Sequence, residues 1–163
     1  MGKRFYSIFK TKFGWMGLMA SNIGLTRVIL PQPDKKNILK MVQGLVRDDK
    51  CFEKTKNSLM NYFEGKKVEF DYPIDVRSAT EFENKVWEVT CSIPYGEVRS
   101  YQFIAEKIGR PKAFRAVGQA LKKNPLPIII PCHRVIRSDG KSGGFLGGIE
   151  MKKNLLRLEH NRS

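Results

Sequence analysis

Three adjacent side chains could do chemistry in the stretch Ile128-Ile129-Ile130-Pro131-Cys132-His133-Arg134-Val135-Ile136. They are the thiol of Cys132, the imidazole of His133 and the guanidinium of Arg134. A thiolate is a soft nucleophile, and a cation or a helix N-terminus beside it favours the ionised form. Three readings fit these residues. Cys132 is a small buried core residue. Alternatively, Cys132 and His133 form a hydrolase-like pair. In the third reading Cys132 is a nucleophile whose thiolate is favoured by nearby cations, with Arg134 adding positive potential. Neighbours on an extended chain point to opposite faces. A direct Cys–His contact in the strand expected here is therefore awkward, and a water or a bend would have to bridge them. Glu159 sits late in a helix pattern over 150–160, with Leu155, Leu156 and Leu158 as apolar positions. An acid there can orient His133, giving an acid–imidazole–thiol arrangement.

The flanking elements must hold these groups in place. Asn124-Pro125-Leu126-Pro127 is a stiff connector leading from a helix into the Cys132 segment. After it comes Ser142-Gly143-Gly144-Phe145-Leu146-Gly147-Gly148, a glycine-rich loop with one aromatic, which reads either as a wrap for a flat ligand or as a plain turn. The helix before the connector spans 112–123, "KAFRAVGQALKK". One face of it is small, with Ala113, Ala116 and Gly118 among Arg115, Gln119, Lys122 and Lys123, while Val117 and Leu121 face the core. Small residues let a helix backbone approach another surface, and cations match phosphates. Gly118 costs helix stability and calls for an offsetting role. The other reading is tight packing against a neighbouring element. Ser100 can cap a short helix to Ile108, closed by Gly109, and Gly109-Arg110-Pro111 joins it to the next helix in a helix-turn-helix pattern. Thr80 and Glu83 form a capping box for a helix over 81–91 with Phe82, Val86, Trp87 and Val89 apolar.

The first part of the chain reads differently. Residues 4–10, 15–21 and 25–30 are apolar-rich strands punctuated by Gly14 and Asn22-Ile23-Gly24. Asp34 can cap a helix over 35–47, with Ile38, Met41, Val42 and Leu45 on one face. A second helix fits 50–63 and is stopped by Gly65. Residues 68–74 read as extended. The boundary falls at 72–78, giving domains 1–76 and 77–163.

Bulk properties narrow the function. The chain has 163 residues, 41% of them hydrophobic, and a formal net charge of +14. Residues 1–76 hold 14 Lys+Arg against 8 Asp+Glu, and residues 77–163 hold 16 against 8. An excess spread over both parts suggests a polyanionic partner such as nucleic acid. Cys51, Cys91 and Cys132 form no CxxC pair, and His133 and His160 are the only histidines. No structural metal is therefore indicated, and a reducing compartment is the simplest reading. There is no apolar run long enough for a transmembrane helix, and the start MGKRFYSIFKTKFGW has no signal-peptide core. Tyr6 occupies the position where myristoylation wants Ser or Thr.

Taken together, "PYGEVRSYQFIAEKIGRPKAFRAVGQALKKNPLPIIIPCHRVI", GGFLGG and KKNLLRLE resemble the O6-alkylguanine-DNA alkyltransferases, also called methylated-DNA–protein-cysteine methyltransferases. The resemblance covers roughly residues 80–160. It implies an α/β (α+β) fold, with a ribonuclease-H-like sheet and helices over 1–76 and a mostly helical DNA-binding and alkyltransferase domain with a helix-turn-helix over 77–163. The implied activity is direct reversal of DNA damage, by one irreversible transfer of the alkyl group of O6-alkylguanine, and of O4-alkylthymine as a further substrate, to Cys132. His133 would act on Cys132 through a water, with Glu159 holding the imidazole. Tyr101 would donate a proton towards guanine N3, and Asn124 would brace the hinge. Arg115 would fill the space left by the flipped nucleotide. Ala116, Gly118 and Gln119 would lie in the minor groove, with Ser100, Lys122 and Ser138 on phosphates. Pro127, Val135, Phe145, Leu146 and Gly147 would wall the base pocket. The implied partner is double-stranded DNA containing O6-alkylguanine, bound by a monomer, cooperatively along DNA, in the cytoplasm (at the nucleoid in a prokaryote). No cofactor, metal or membrane is implied.

The sequence departs from the family pattern in two places. Phe114 precedes Arg115 where a small residue is common, and Phe145-Leu146 stands where many relatives have Tyr and then a small or hydroxylic residue. Leu146 has no side-chain donor for O6, so that contact would come from backbone. Two other functions remain as contrasts. A non-catalytic lesion reader would lack the acceptor thiol, and a Cys–His hydrolase with a DNA-binding helix would turn over repeatedly.

Overall fold

The computed structural model describes residues 2–161 and divides the chain into two compact units, Met1–Val76 and Arg77–Ser163. Among the described residues no helix is long and apolar enough to cross a membrane.

Three strands, β1 (Arg4–Thr11), β2 (Gly14–Ser21) and β3 (Leu25–Gln32), form an antiparallel meander in the first unit. Gly14 makes the first turn possible. It sits at φ +129°, and a Cβ there would lie 2.4 Å from the carbonyl oxygen of Gln32. Helix α1 (Lys36–Met41) buries Ile38 against Ile8, Ile29 and Val42. It comes so close to β2 that a Cβ on Gly17 would lie 2.8 Å from Ile38 Cγ2. The opposite sheet face carries Ser7 and Phe9. Helix α2 (Glu53–Phe63) reaches that side, with Lys56 Nζ 5.7 Å from the Phe9 ring centroid.

The helix expected over 35–47 ends at Met41. Gly44 turns the chain at φ +81°, and β4 (Val46–Arg47) then pairs in parallel with β1, giving sheet order β3-β2-β1-β4. Backbone pairing at the sheet edge outweighs the helical apolar pattern there, and Met41 is left exposed. Asp34 still accepts a hydrogen bond from the Lys36 amide at 2.8 Å. In the segment expected to be extended over 68–74, only Ile74 forms a bridge, to Leu25.

In the second unit, helix α3 (Glu81–Cys91) starts with the expected capping box, Thr80 and Glu83 each accepting from the other's amide at 3.1 Å. Strand β5 (Arg99–Ser100) leads straight into α4 (Tyr101–Lys107), where Ser100 Oγ caps by accepting from the Phe103 amide at 3.0 Å. Helix α5 (Phe114–Lys122) follows the turn at Gly109. Helices α3, α4 and α5 pack on one another, and Trp87 Nε1 donates to the Ala120 carbonyl at 3.0 Å, fastening α3 to α5. Helix α5 begins two residues later than expected, and Pro111 lies in the turn, where its carbonyl accepts from Gln102 Nε2 at 2.7 Å. The unit closes with β6 (Val135–Ile136) and α6 (Ile149–His160).

Candidate active site

The Cys132 segment is not the extended strand expected from its apolar run. Ile128 takes φ +75°, a costly conformation for a β-branched residue. Pro131 follows at φ −78°, ψ 63°, and the Cys132 amide donates back to the Ile130 carbonyl at 2.7 Å, an inverse γ-turn. Cys132–Arg134 then form a single 3-10 turn, closed by the Arg134 amide on the Pro131 carbonyl at 2.9 Å. The opposite-face rule for extended neighbours therefore does not apply to Cys132 and His133. Both are buried, Cys132 at 6% exposure and His133 at 0%.

Asn124 sets this geometry from the end of α5. Its Nδ2 donates to the Ile130 carbonyl at 2.8 Å, and its Oδ1 accepts from the Leu126 amide at 2.9 Å. One buried amide thus spans the connector and holds the turn that presents Cys132. Strands β5 and β6 pair in parallel, Arg99 with Val135 and Ser100 with Ile136. That pairing brings the first residue of α4, Tyr101, beside the Cys132 turn, a placement with no local mark in the sequence.

Glu159 is 1% exposed and receives a convergent set of donors. His133 Nε2 lies 2.8 Å from Oε1. Arg134 Nε donates to both carboxylate oxygens at 3.1 and 3.0 Å, and its Nη2 donates to Oε1 at 2.7 Å. Arg134 Nη1 donates to the Ile93 carbonyl at 2.8 Å. Burial raises the Glu159 pKa, but the hydrogen bonds from His133 and Arg134 outweigh it and bring the carboxyl down to about 2. An ionised carboxylate can only accept, so His133 Nε2 carries the hydrogen and Nδ1 holds the lone pair. Burial pushes the His133 pKa down against the pull of Glu159, with Arg134 and Lys152 adding to the fall. The ring is neutral and competent as a base.

The cation near the thiol is not the expected one. Arg134 turns its guanidinium to Glu159. The side chain whose charge favours the Cys132 thiolate is Lys152 of α6, which is fully buried. Burial raises the Cys132 pKa, while the Asn124 side chain, Lys152 and the Cys132 and His133 amides lower it. Nothing in the sequence sets Lys152 apart from the other lysines of the chain.

Cys132 lines a partly open cleft whose walls are Tyr101, Gly118, Leu121, Lys122, Gly144, Phe145 and Leu146. Four residues expected at the reacting centre or base pocket, Tyr101, Cys132, Phe145 and Leu146, meet here. Pro127 and Val135 are buried away from the cleft, and Gly147 is exposed outside its wall. Arg115, Ala116, Gln119 and Lys122 form the exposed face of α5, with Val117 and Leu121 buried beneath as expected. Ser138 lies exposed in the turn closed by the Gly140 amide on the Arg137 carbonyl.

Comparison with known proteins identifies the family of this chain. The family model described as "6-O-methylguanine DNA methyltransferase, ribonuclease-like domain" matches residues 4–76, and the one described as "6-O-methylguanine DNA methyltransferase, DNA binding domain" matches residues 81–161. A methylated-DNA–protein-cysteine methyltransferase of Methanosarcina barkeri is 40% identical over 157 residues, covering 96% of this chain and 98% of that protein. The chain belongs to the 6-O-methylguanine DNA methyltransferase family. An inducible methylated-DNA–protein-cysteine methyltransferase of Bacillus subtilis is 44% identical over 119 residues, covering 73% of this chain and 66% of that one. The Mycobacterium tuberculosis OGT structure in complex with DNA superposes with TM-score 0.84 at 40% identity, covering 98% of this chain and 94% of that one. The mixed α/β fold of this methyltransferase family member is the one the sequence resemblance implied. The family's thiol chemistry also accounts for a cysteine placed on a cleft wall rather than in a core.

Proposed function

We propose that this protein repairs DNA by direct reversal, taking the alkyl group of O6-alkylguanine onto Cys132 in a single irreversible event. The observation that carries the reading is a thiol on the wall of an open cleft, backed by a buried histidine whose Nε2 is committed to an ionised glutamate. The Cys132 proton passes through a water to His133 Nδ1, and sulfur attacks the O6-bound carbon. The S–C bond forms as the C–O6 bond breaks. The electron pair stays on guanine, which takes up the displaced proton and is restored. The thioether left on Cys132 has no easy return, so each molecule acts once.

The leaving guanine gains negative charge, so a proton donor near the ring speeds its departure. Tyr101 on the cleft wall fits that role towards N3. Burial and the Cys132 charge keep its pKa above the ordinary tyrosine value, so the hydroxyl is protonated at neutral pH. The target base must leave the stack, which costs on the order of a few kcal/mol and least for a damaged pair. The exposed face of α5 supports docking in the minor groove, with Ala116, Gly118 and Gln119 against the groove and Arg115 in the vacated stack. Ser100, Lys122 and Ser138 are the proposed phosphate contacts. Phe145 and Leu146 offer a flat apolar wall to the base, and the O6 contact falls to loop backbone. The first unit is proposed as the ribonuclease-H-like domain, and the second as carrying both DNA binding and transfer. We place the protein on DNA as a monomer.

Mixing the protein with excess duplex holding one O6-methylguanine, then measuring intact mass and mapping peptides, tests this directly. One methyl group on Cys132, an equal amount of restored guanine and no further turnover is the expected result. Repaired DNA with unmodified protein would overturn the acceptor role of Cys132, and bound but unrepaired DNA would mean a lesion reader.

A further inference from the structure

Phe114 is the first residue of helix α5 and a large apolar side chain left 44% exposed. A single exposed apolar side chain is ordinary on a protein surface. Position sets this one apart. Residues four and seven apart share one side of a helix, so Phe114, Gly118 and Leu121 form one row. Gly118 and Leu121 belong to the cleft wall that Cys132 also lines. Phe114 therefore stands about one helical turn, roughly 5–6 Å, from the cleft wall along the same row.

The core makes little use of this ring. The side chains that α5 buries are Val117, Ala120 and Leu121. The Phe114 ring centroid lies instead 5.9 Å from Cζ of exposed Arg115. An aromatic ring and a guanidinium thus stand together at the head of a helix face whose middle is Ala116, Gly118 and Gln119. The first turn of α5 holds no acidic residue, so no charge in that turn opposes a phosphate backbone.

We propose that Phe114 is an apolar wedge into duplex DNA, acting beside Arg115. The inference rests on the reading of α5 as the minor-groove face and of Cys132 as alkyl acceptor. Apolar side chains inserted from the minor groove partly unstack a base step and kink the duplex. Phe114 packs on the base step next to the extruded nucleotide and loosens it, while Arg115 fills the vacated place. Charge selects the occupant. Arg115 and Lys122 are exposed on the same helix in a chain of net charge +14, which matches a polyanion. The two kinds of contact differ in one measurable respect. A cation on a phosphate releases counterions and makes binding depend on salt, whereas an apolar contact does not.

The test compares wild type with Phe114→Ala, Phe114→Leu and Lys122→Ala on an O6-methylguanine duplex. Affinity is measured against salt concentration. Fluorescence of 2-aminopurine, placed on either flank of the lesion in separate duplexes, reports unstacking. Thermal unfolding and alkylation of Cys132 by iodoacetamide without DNA check the helix and the cleft. Phe114→Ala is expected to weaken binding about tenfold at an unchanged salt slope, and to lose the fluorescence rise that wild type gives on one flank. Phe114→Leu is expected to recover most of both effects. Lys122→Ala is expected to make the salt slope shallower by about 0.9 while keeping the fluorescence rise. Wild-type affinity in Phe114→Ala, a shallower salt slope in that variant, or no rise on either flank with wild type each overturns the wedge. Slower iodoacetamide reaction or a lower melting temperature in Phe114→Ala also overturns it, since the ring would then serve the fold. If wild type transfers no methyl group from the duplex, the acceptor reading fails on its own, while affinity and fluorescence still report on Phe114.

Discussion

Replacing Gly118 by alanine separates what helix α5 needs to fold from what its exposed face is for. Glycine in a helix interior is about 1 kcal/mol less favourable than alanine. A Cβ at Gly118 would find its nearest neighbours in the Tyr101 ring, Cε1 at 3.8 Å and Cδ1 at 3.9 Å, which is ordinary van der Waals contact. Nothing inside the protein therefore requires glycine here, and G118A should stabilise the second unit by close to the full ~1 kcal/mol. For a domain of roughly 60–100 residues that raises the melting temperature by about 4–8 °C. The same methyl group projects into the mouth of the cleft, where Gly118 is part of the wall. If the small face docks on DNA, G118A should bind an O6-methylguanine duplex more weakly and transfer more slowly. The assay pairs differential scanning calorimetry with duplex titration and single-turnover transfer. Higher stability with unchanged binding and transfer would refute the docking argument. Lower stability would refute the packing argument and return Gly118 to an internal role.

The remaining predictions concern the buried network. Glu159→Gln leaves Arg134 and His133 buried without their carboxylate, which should cost about 3–5 kcal/mol in denaturant titration; a loss under ~1 kcal/mol would show that the network contributes little. In wild type the Glu159 pKa is depressed from 4.5 to about 2, so its contribution is full above the unfolded value and is lost as pH falls from near 4.5 towards 2. Two and a half pH units amount to about 3 kcal/mol, and the stability–pH curve of Glu159→Gln should be flatter over that window. Tyr101→Phe keeps the ring and removes the proposed proton donor, so single-turnover transfer should slow by about 10²-fold or more at unchanged duplex affinity; an unchanged rate would remove Tyr101 from the mechanism. Asn124→Ala strands the Leu126 amide and takes a donor from Ile130, at about 1–3 kcal/mol for the buried group left unpaired, read by urea denaturation.

Local chemistry explains which parts of this structure can be read from sequence. Thr80 and Glu83 are three residues apart and satisfy each other, so the start of α3 needs nothing from the rest of the chain. The 3.6-residue rhythm of Val117 and Leu121 likewise places the buried side of α5 without outside information. The end of α1 is different. Ile38, Met41, Val42 and Leu45 keep a helical rhythm, but Val46 and Arg47 are claimed by Phe5 and Tyr6 of β1, some forty positions away. The Cys132 turn fails to announce itself for a related reason. Three isoleucines in a row favour a strand, and the positive φ of Ile128 is imposed by packing and by the grip of Asn124 on Ile130 rather than by side-chain type.

Charge near the thiol shows the same limit most sharply. Arg134 is two positions from Cys132 in sequence and was the natural cation to assign to it, yet folding turns its guanidinium to a carboxylate contributed by α6. The same helix supplies the lysine that takes Arg134's place. Lys152 and Glu159 are seven residues apart, so they lie on nearly one helix face two turns from each other. That spacing lets α6 serve the Cys132 turn from both ends: the glutamate lies 2.8 Å from the histidine, and the lysine donates to the carbonyl of Val135, the residue that follows the turn. Neither role follows from residue type alone. A late acid and an early lysine on an amphipathic helix are ordinary surface residues until the helix is laid against the Cys132 turn, where Glu159 and Lys152 are both buried and Lys152 donates to the carbonyls of Val135, Ser142 and Gly144.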